Sequence, residues 1–212
     1  MKELLPLMLD LSGKEVVIFG GGGVGERKAS LFCDHSRVTV VSREFTAGLN
    51  QLSRDGKINL IDVNEITDDE ISQYLENAFI VIPATNDIIL NERIAKLAEK
   101  KGTLVNRVDG IGDVLVPSVI RRGDIVIGIS TLGKSPALSK YIRQRIEEVI
   151  TPKFELMSDL QNEIRELLKS QVKDQKERSG ILWSIINDNE VWDALDESYE
   201  KAYKVASKHI GK

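Results

Sequence analysis

The stretch V-V-I-F-G-G-G-G-V-G-E-R-K, residues 16–28, constrains this chain more than any other. Four apolar, largely β-favouring residues (Val16, Val17, Ile18, Phe19) run into Gly20, Gly22 and Gly25 at G-x-G-x-x-G spacing, and helix-forming residues follow. That order specifies a strand, a tight turn and a helix start. Gly20 permits the turn, Gly22 lets a pyrophosphate approach the backbone with no Cβ in the way, and Gly25 lets helix pack closely on strand. Amides of the new helix N-terminus, from Gly23 and Val24 onward, then face an anion.

Beyond the turn, strand and helix patterns alternate. The first helix spans residues 23–34, with Val24, Ala29, Phe32 and Cys33 facing inward, and residues 37–41 (R-V-T-V-V) read as a buried second strand. At its end lie Ser42, Arg43 and Glu44, where a dinucleotide fold reads the adenosine ribose. A carboxylate at Glu44 suits the ribose hydroxyls and favours NAD, Arg43 could instead hold a 2′-phosphate, and position alone also allows both to be solvated loop charges.

Residues 46–54 can form a short helix and residues 57–62 a strand, and Thr67-Asp68-Asp69-Glu70 has capping-box spacing ahead of a helix that runs to Leu75. Residues 78–82 form a fourth strand closed by Pro83-Ala84-Thr85-Asn86-Asp87. A helix over 88–101 stops at Gly102, and 104–108 give a fifth strand. This alternation predicts an α/β fold: a Rossmann-like parallel sheet with helices on both faces, occupying residues 1–113. Ligands of such sheets bind at the carboxyl ends of the strands. The glycine turn, Ser42 to Glu44, Thr85 and Asn86, and Asn106 to Asp109 all fall there.

After Asp113 the pattern changes. Residues 114–121 and 124–130 read as a hairpin turning at Arg121-Arg122-Gly123-Asp124, and Ser135-Pro136 opens a helix to about residue 150 with serine as N-cap and proline at N1. A hairpin outside the main sheet needs a partner for its open edges. From 151 to 212 the apolar positions fall at helical spacing. Phe154, Met157, Leu160, Ile164 and Leu167 belong to one helix and Val191, Leu195, Tyr199, Ala202 and Ala206 to another, with a short helix around 181–186, making a small all-α domain. The prelude 4–11 is apolar, broken by Pro6 and Asp10, and is expected along the sheet edge or the ligand cleft.

A chain of 212 residues has room for one full domain and a smaller second one. A net charge of −4 gives no general attraction to nucleic acid or anionic membranes. No apolar run reaches the length of a membrane span and the first residues lack the regions of a secretory leader, so a cytoplasmic location is expected. The lone Cys33 cannot form an internal disulfide and reads as core, with a reactive thiol the lesser alternative. Two histidines, His35 and His209, offer no metal-ligand spacing.

Taken together, these residues resemble the precorrin-2 dehydrogenases of sirohaem synthesis, including the dehydrogenase module of sirohaem synthases. The resemblance rests on Leu5-Pro6-Leu7, on G-G-G-G-V-G-E-R-K from Gly20, and on Ala84-Thr85-Asn86-Asp87 with Asn91. It continues through Asn106-Arg107-Val108-Asp109, Val116-Pro117-Ser118 and Ser130-Thr131-Leu132-Gly133-Lys134-Ser135-Pro136, and covers residues 4–150. It implies a homodimer in which residues 114–150 form the dimerisation segment, and a helical domain closing over the tetrapyrrole.

It also implies Asp109 as the catalytic residue, although Asp-Gly on its own is a preferred turn pair. The implied reaction is the NAD-dependent oxidation of precorrin-2 to sirohydrochlorin, in which a hydride goes to nicotinamide and a proton to a base. The substrate's acetates and propionates call for cations, for which Arg107, Arg121, Arg122, Lys134 and Arg143 are candidates. Asn106, Ser118 and Thr131 are neutral partners. Some family members also insert iron into sirohydrochlorin, and that second activity is left open. From a different class, a non-catalytic NAD-sensing dimeric module would share the glycine turn but have no use for Asp109.

Overall fold

The computed structural model describes residues 4–210; the first three residues, read above for the absence of a leader, lie outside that range. The chain divides into two compact units at Val116/Pro117. In the first, β1 (Glu15–Phe19), β2 (Arg37–Ser42), β3 (Asn59–Asp62), β4 (Ala78–Pro83) and β5 (Leu104–Val105) form one parallel sheet of order β3-β2-β1-β4-β5. Helices α1 (Gly23–Phe32), α2 (Ala47–Arg54), α3 (Asp68–Leu75) and α4 (Ile88–Lys101) connect the strands. Strand order reverses between β1 and β4, which opens a crevice at their carboxyl ends.

Continuous apolar runs are what a sheet covered on both faces requires, because successive side chains point to opposite sides. Val16, Ile18, Val38, Val40, Ile80 and Ile82 pack on one face with Ala29, Phe32 and Leu49, while Val17, Phe19, Val41, Val81 and Val105 pack on the other with Ile71, Leu75, Ile94, Ala95 and Ala98. Cys33 follows α1 as its C-cap and is partly buried against the first of these clusters. Burial, then the charge of Asp34, pushes its thiol up. The capping box is formed as read: Thr67 accepts from the Glu70 amide and the Glu70 carboxylate accepts from the Thr67 amide at 2.8 Å.

Two strand boundaries differ from the sequence reading by three residues or more. β5 ends at Val105 because the amides of Asp113 and Val114 both return to the Val105 carbonyl, so residues 106–112 leave the sheet as a loop. Residues 114–117 are not strand, and Val114 and Val116 instead pack on the sheet's first apolar cluster. The apolar prelude is irregular over residues 4–10, with Leu5, Leu7, Met8 and Leu9 exposed.

In the second unit β6 (Ser118–Arg122) and β7 (Ile125–Ile129) form a separate antiparallel pair closed at Gly123-Asp124, and α5 (Pro136–Val149) is capped by the Ser135 hydroxyl. Helices α6 (Lys153–Gln171), α7 (Gln175–Ile186), α8 (Asn189–Glu197) and α9 (Tyr199–Ser207) surround a core of Met157, Leu160, Ile164, Leu168, Ile185, Val191, Leu195, Ala202 and Ala206. Leu168, rather than Leu167, completes the buried stripe of α6. The single helix read through 191–206 is two helices. Ser198 is extended between them, ends α8 and caps α9 through the Lys201 amide, so the stripe folds back on itself. His209 closes this bundle, bonded to Ser184 of α7 and to Asp188 ahead of α8, each at 2.8 Å. Among the described residues no helix is long and apolar enough to cross a membrane.

Candidate functional site

The crevice at the switch point is a cavity of about 1130 Å³. It gathers Gly20, Gly21 and Gly22 after β1, Ser42, Arg43 and Glu44 after β2, Asn64 and Glu65 after β3, and Thr85, Asn86 and Asp87 after β4. Gly20 has φ +120, and a Cβ there would overlap the Ala84 carbonyl, so the turn passes tight against the β4 loop. At Gly25 a Cβ would overlap the Gly20 carbonyl, which fixes the start of α1 against the turn. Gly22 is different: it caps α1 without a side chain, and a Cβ there would meet nothing. The space is open in front of the first-turn amides, which suits a pyrophosphate. Gly23, Val24 and Gly25 form that first turn, and none of the three is among the residues lining the cavity.

The β4 loop is held from α4. Asn91 is 6% exposed, accepts from the Thr85 amide (3.0 Å) and hydroxyl (2.7 Å), and donates to the Thr85 carbonyl (2.9 Å). Asp87 caps the same helix through the amides of Ile89 and Leu90. Thr85 and Asn86 are therefore presented by a loop with little freedom. On the β2 side, the Thr46 amide bonds the Gly21 carbonyl and the Gly20 amide bonds the Val41 carbonyl, so the strand end bearing Ser42, Arg43 and Glu44 is tied to the glycine turn. Arg43 and Glu44 have no ion-pair partner among the described residues.

After β5, Asn106 is 3% exposed. Its Nδ2 donates to the Val114 carbonyl at 2.7 Å, and its Oδ1 is buried with no hydrogen-bond partner among the described residues. Asn106 is not among the residues lining the cavity either, although the strand-end rule placed it there. Asp109, at the tip of this loop, pairs with Arg107 at 3.3 Å, is about 42% exposed, and is not among the residues lining the cavity. Arg107, 22% exposed, also pairs with Glu92 of α4.

Ser118, Thr131 and Lys134 belong to the second unit. Ser118 opens β6 opposite Ile129, and Thr131 accepts from the Ser135 amide at 3.0 Å while the Lys134 amide donates to its carbonyl at 3.0 Å. Leu132 between them has φ +50, a left-handed conformation that costs a side-chain-bearing residue energy. Of the other cations, Arg122 donates to the Ile150 carbonyl and Arg143 pairs with Glu147, whereas Arg121 and Lys134 have no ion-pair partner among the described residues. No cluster of three or more His, Cys, Asp or Glu placed to hold a metal ion occurs among the described residues.

Sequence reasoning missed Asn64, Glu65 and Arg93 in the cavity wall and Glu92 beside Arg107. The first two follow β3, so the strand-end rule that selected Ser42 and Thr85 would have found them. Arg93 and Glu92 lie within a helix and carry no comparable local signal.

A parallel sheet with a glycine turn, an open helix N-terminus and strand-end polar groups on one cavity defines a dinucleotide-binding protein of the Rossmann type. Family models agree along the chain: an NAD(P)-binding model matches residues 7–118 and the sirohaem biosynthesis protein central model matches residues 122–148. The precorrin-2 dehydrogenase of Methanosarcina barkeri is 48% identical over 98% of this chain and 96% of its own length. The siroheme synthase of Actinobacillus succinogenes is 32% identical over 86% of this chain, which spans 38% of that protein. A solved structure of SirC, a precorrin-2 dehydrogenase, has a TM-score of 0.78 at 25% identity and covers 97% of this chain and 100% of its own. The chain belongs to the precorrin-2 dehydrogenase family.

Proposed function

We propose that this chain oxidises precorrin-2 to sirohydrochlorin in the cytoplasm, as a homodimer, with NAD as oxidant. The observation that carries the reading is the convergence of the glycine turn, the β2 end and the Asn91-braced β4 loop on one cavity, in a chain 48% identical to a precorrin-2 dehydrogenase over nearly its whole length.

When bound, NAD supplies the hydride acceptor. Gly20 to Gly22 and the first-turn amides of α1 would hold its pyrophosphate, and Glu44 would accept from the ribose hydroxyls. Thr85 and Asn86 border the same groove. The reaction removes a hydride and a proton from the substrate, and the carboxylate of Asp109 receives the proton. Asn106, with its open Oδ1, accepts from a substrate N–H, and Ser118, Thr131 and Lys134 meet substrate carboxylates.

On this reading residues 1–113 serve the cofactor, 114–150 the dimer and 151–212 form a helical domain. Among the described residues β6 and β7 pair only with each other, and no residue of α5 is buried, which is the surface an exchanged segment presents. The test is an anaerobic assay with precorrin-2 and NAD, following the sirohydrochlorin spectrum. The expected result is turnover in the native chain, and in Asp109→Ala retained NAD binding with turnover lowered by at least about a hundredfold. Unchanged turnover in Asp109→Ala would remove the base from this scheme, and NAD binding without any turnover in the native chain would favour the sensing module.

A further inference from the structure

We propose that Glu92 is a positioning residue for the dehydrogenation, acting through Arg107 on Asp109; this rests on the reading of Asp109 as the base. Asp109 lies on a loop whose two ends are fixed and whose tip is not. At one end the Asn106 amide bonds the Val81 carbonyl, and at the other the Asp113 carboxylate accepts from the Val105 amide while the Asp113 amide returns to the Val105 carbonyl. Between them, the contact of Asp109 is with Arg107 Nε, on its own loop two residues away. A pair within one loop fixes nothing unless one member is anchored outside it. Arg107 is anchored: its Nη2 reaches Glu92 on α4.

The arrangement depends on the shape of the guanidinium. Nε and Nη2 lie on the same planar fork, so seating one on a helix-borne carboxylate sets the direction in which the other presents Asp109. At 22% exposure Arg107 has less freedom than either acid, whose exposures are 44% and 42%. The adjacent residue of α4, Asn91, immobilises the Thr85 loop at the cofactor cavity. One turn of one helix therefore braces both the loop that borders the cofactor and the loop that carries the base. Proton transfer is sensitive to such placement, since the carboxylate must come within hydrogen-bond reach of the departing proton.

The test compares the native full-length protein with Glu92→Ala, Glu92→Gln, Arg107→Lys and Asp109→Asn, and with the double variant Glu92→Ala/Asp109→Asn. The assay is anaerobic steady-state kinetics with precorrin-2 and NAD, with thermal melting as the folding control. The expected result is a kcat about tenfold lower in Glu92→Ala with KM for NAD within about twofold, as misplacement of a reacting group costs turnover more than affinity. Glu92→Gln keeps an acceptor and recovers part of the loss. Arg107→Lys keeps the charge without the fork and falls with Glu92→Ala, and it stands in for that variant should the alanine melt below the assay temperature. Adding Glu92→Ala to Asp109→Asn costs nothing further, because the group being positioned is already gone.

Native kcat in both Glu92→Ala and Arg107→Lys, or a Glu92→Ala loss that adds in full to that of Asp109→Asn, overturns the proposal while leaving the base reading intact. Native turnover in Asp109→Asn overturns both.

Discussion

α4 and α5 are both 14 residues long and both capped at the N-terminus by a side chain, Asp87 in one and Ser135 in the other, yet they are used in opposite ways. α4 buries Asn91, Ile94, Ala95 and Ala98 against the sheet and spends its first turns bracing two loops. α5 buries no residue, and exposes Leu138, Tyr141 and Val149. Local helix signals are equally good in both, so what separates them is where the apolar face goes. In α4 it closes a core. In α5 Ile142 and Ile146 are half-buried while Leu138, Tyr141 and Val149 stay exposed, beside a two-stranded sheet that has open edges.

The largest contrast is in core truncation. Ile94→Ala removes a side chain that is 0% exposed and is expected to cost about 2 to 5 kcal/mol in urea unfolding. Leu138→Ala on α5, 48% exposed, is expected to change the stability of a dissociated chain by less than about 0.5 kcal/mol. Comparable losses from both at low protein concentration would show that α5 packs within its own chain. Next in size is association itself. Tyr141→Glu, at a position 59% exposed, puts a charge on the proposed dimer face and is expected to weaken self-association by at least about tenfold, or 1.4 kcal/mol, read by sedimentation across a concentration series. An unchanged mass distribution would remove α5 from the interface.

The same contrast explains what the sequence disclosed. The sheet was legible because its signals are local: V-V-I-F before the glycines, T-D-D-E at α3, and Gly102, whose φ of +74 ends α4 where a glycine was read as a stop. The β1, β2 and β4 edges of the cavity followed from one topological rule about strand ends, which also placed Asn106 to Asp109 there, although none of them lines it. What was not legible depends on contacts distant in sequence. β5 was read three residues too long because Arg107 and Val108 are as strand-compatible as their neighbours; only the return of Asp113 and Val114 to Val105 peels them away. The break at Ser198 was hidden because apolar positions on α8 and α9 happen to continue one helical period, although the serine is itself a capping residue. Glu92 was hidden because its contact is with Arg107, a residue fifteen positions away, and not with its neighbours in sequence.

Caps sharpen the point further down the scale. Asp87→Ala and Ser135→Ala each remove acceptors of first-turn amides and are expected to cost about 1 kcal/mol apiece in urea unfolding. A clearly larger loss for Asp87, whose carboxylate serves two amides, would mean that the β4 loop loosens along with the helix.

The smallest effect concerns how much the contacts among the helices after α5 hold that region together. Tyr199 of α9 donates to Glu163 of α6 at 2.8 Å, and burial, followed by that hydrogen bond and the negative charge of Glu163, pushes its phenol above the usual tyrosine range. The unfolded phenol releases its proton near pH 10 while the folded one keeps it, so the unfolded state binds fewer protons there. The stability from this contact is therefore fully present below about pH 10 and declines as pH rises beyond it. Tyr199→Phe is expected to cost about 1 kcal/mol or less at pH 8, and the difference between the two proteins should shrink steadily as urea unfolding is repeated up to pH 11. Parallel stability curves for the two proteins over that range would mean that the α6 to α9 contact contributes nothing to holding the helical region together.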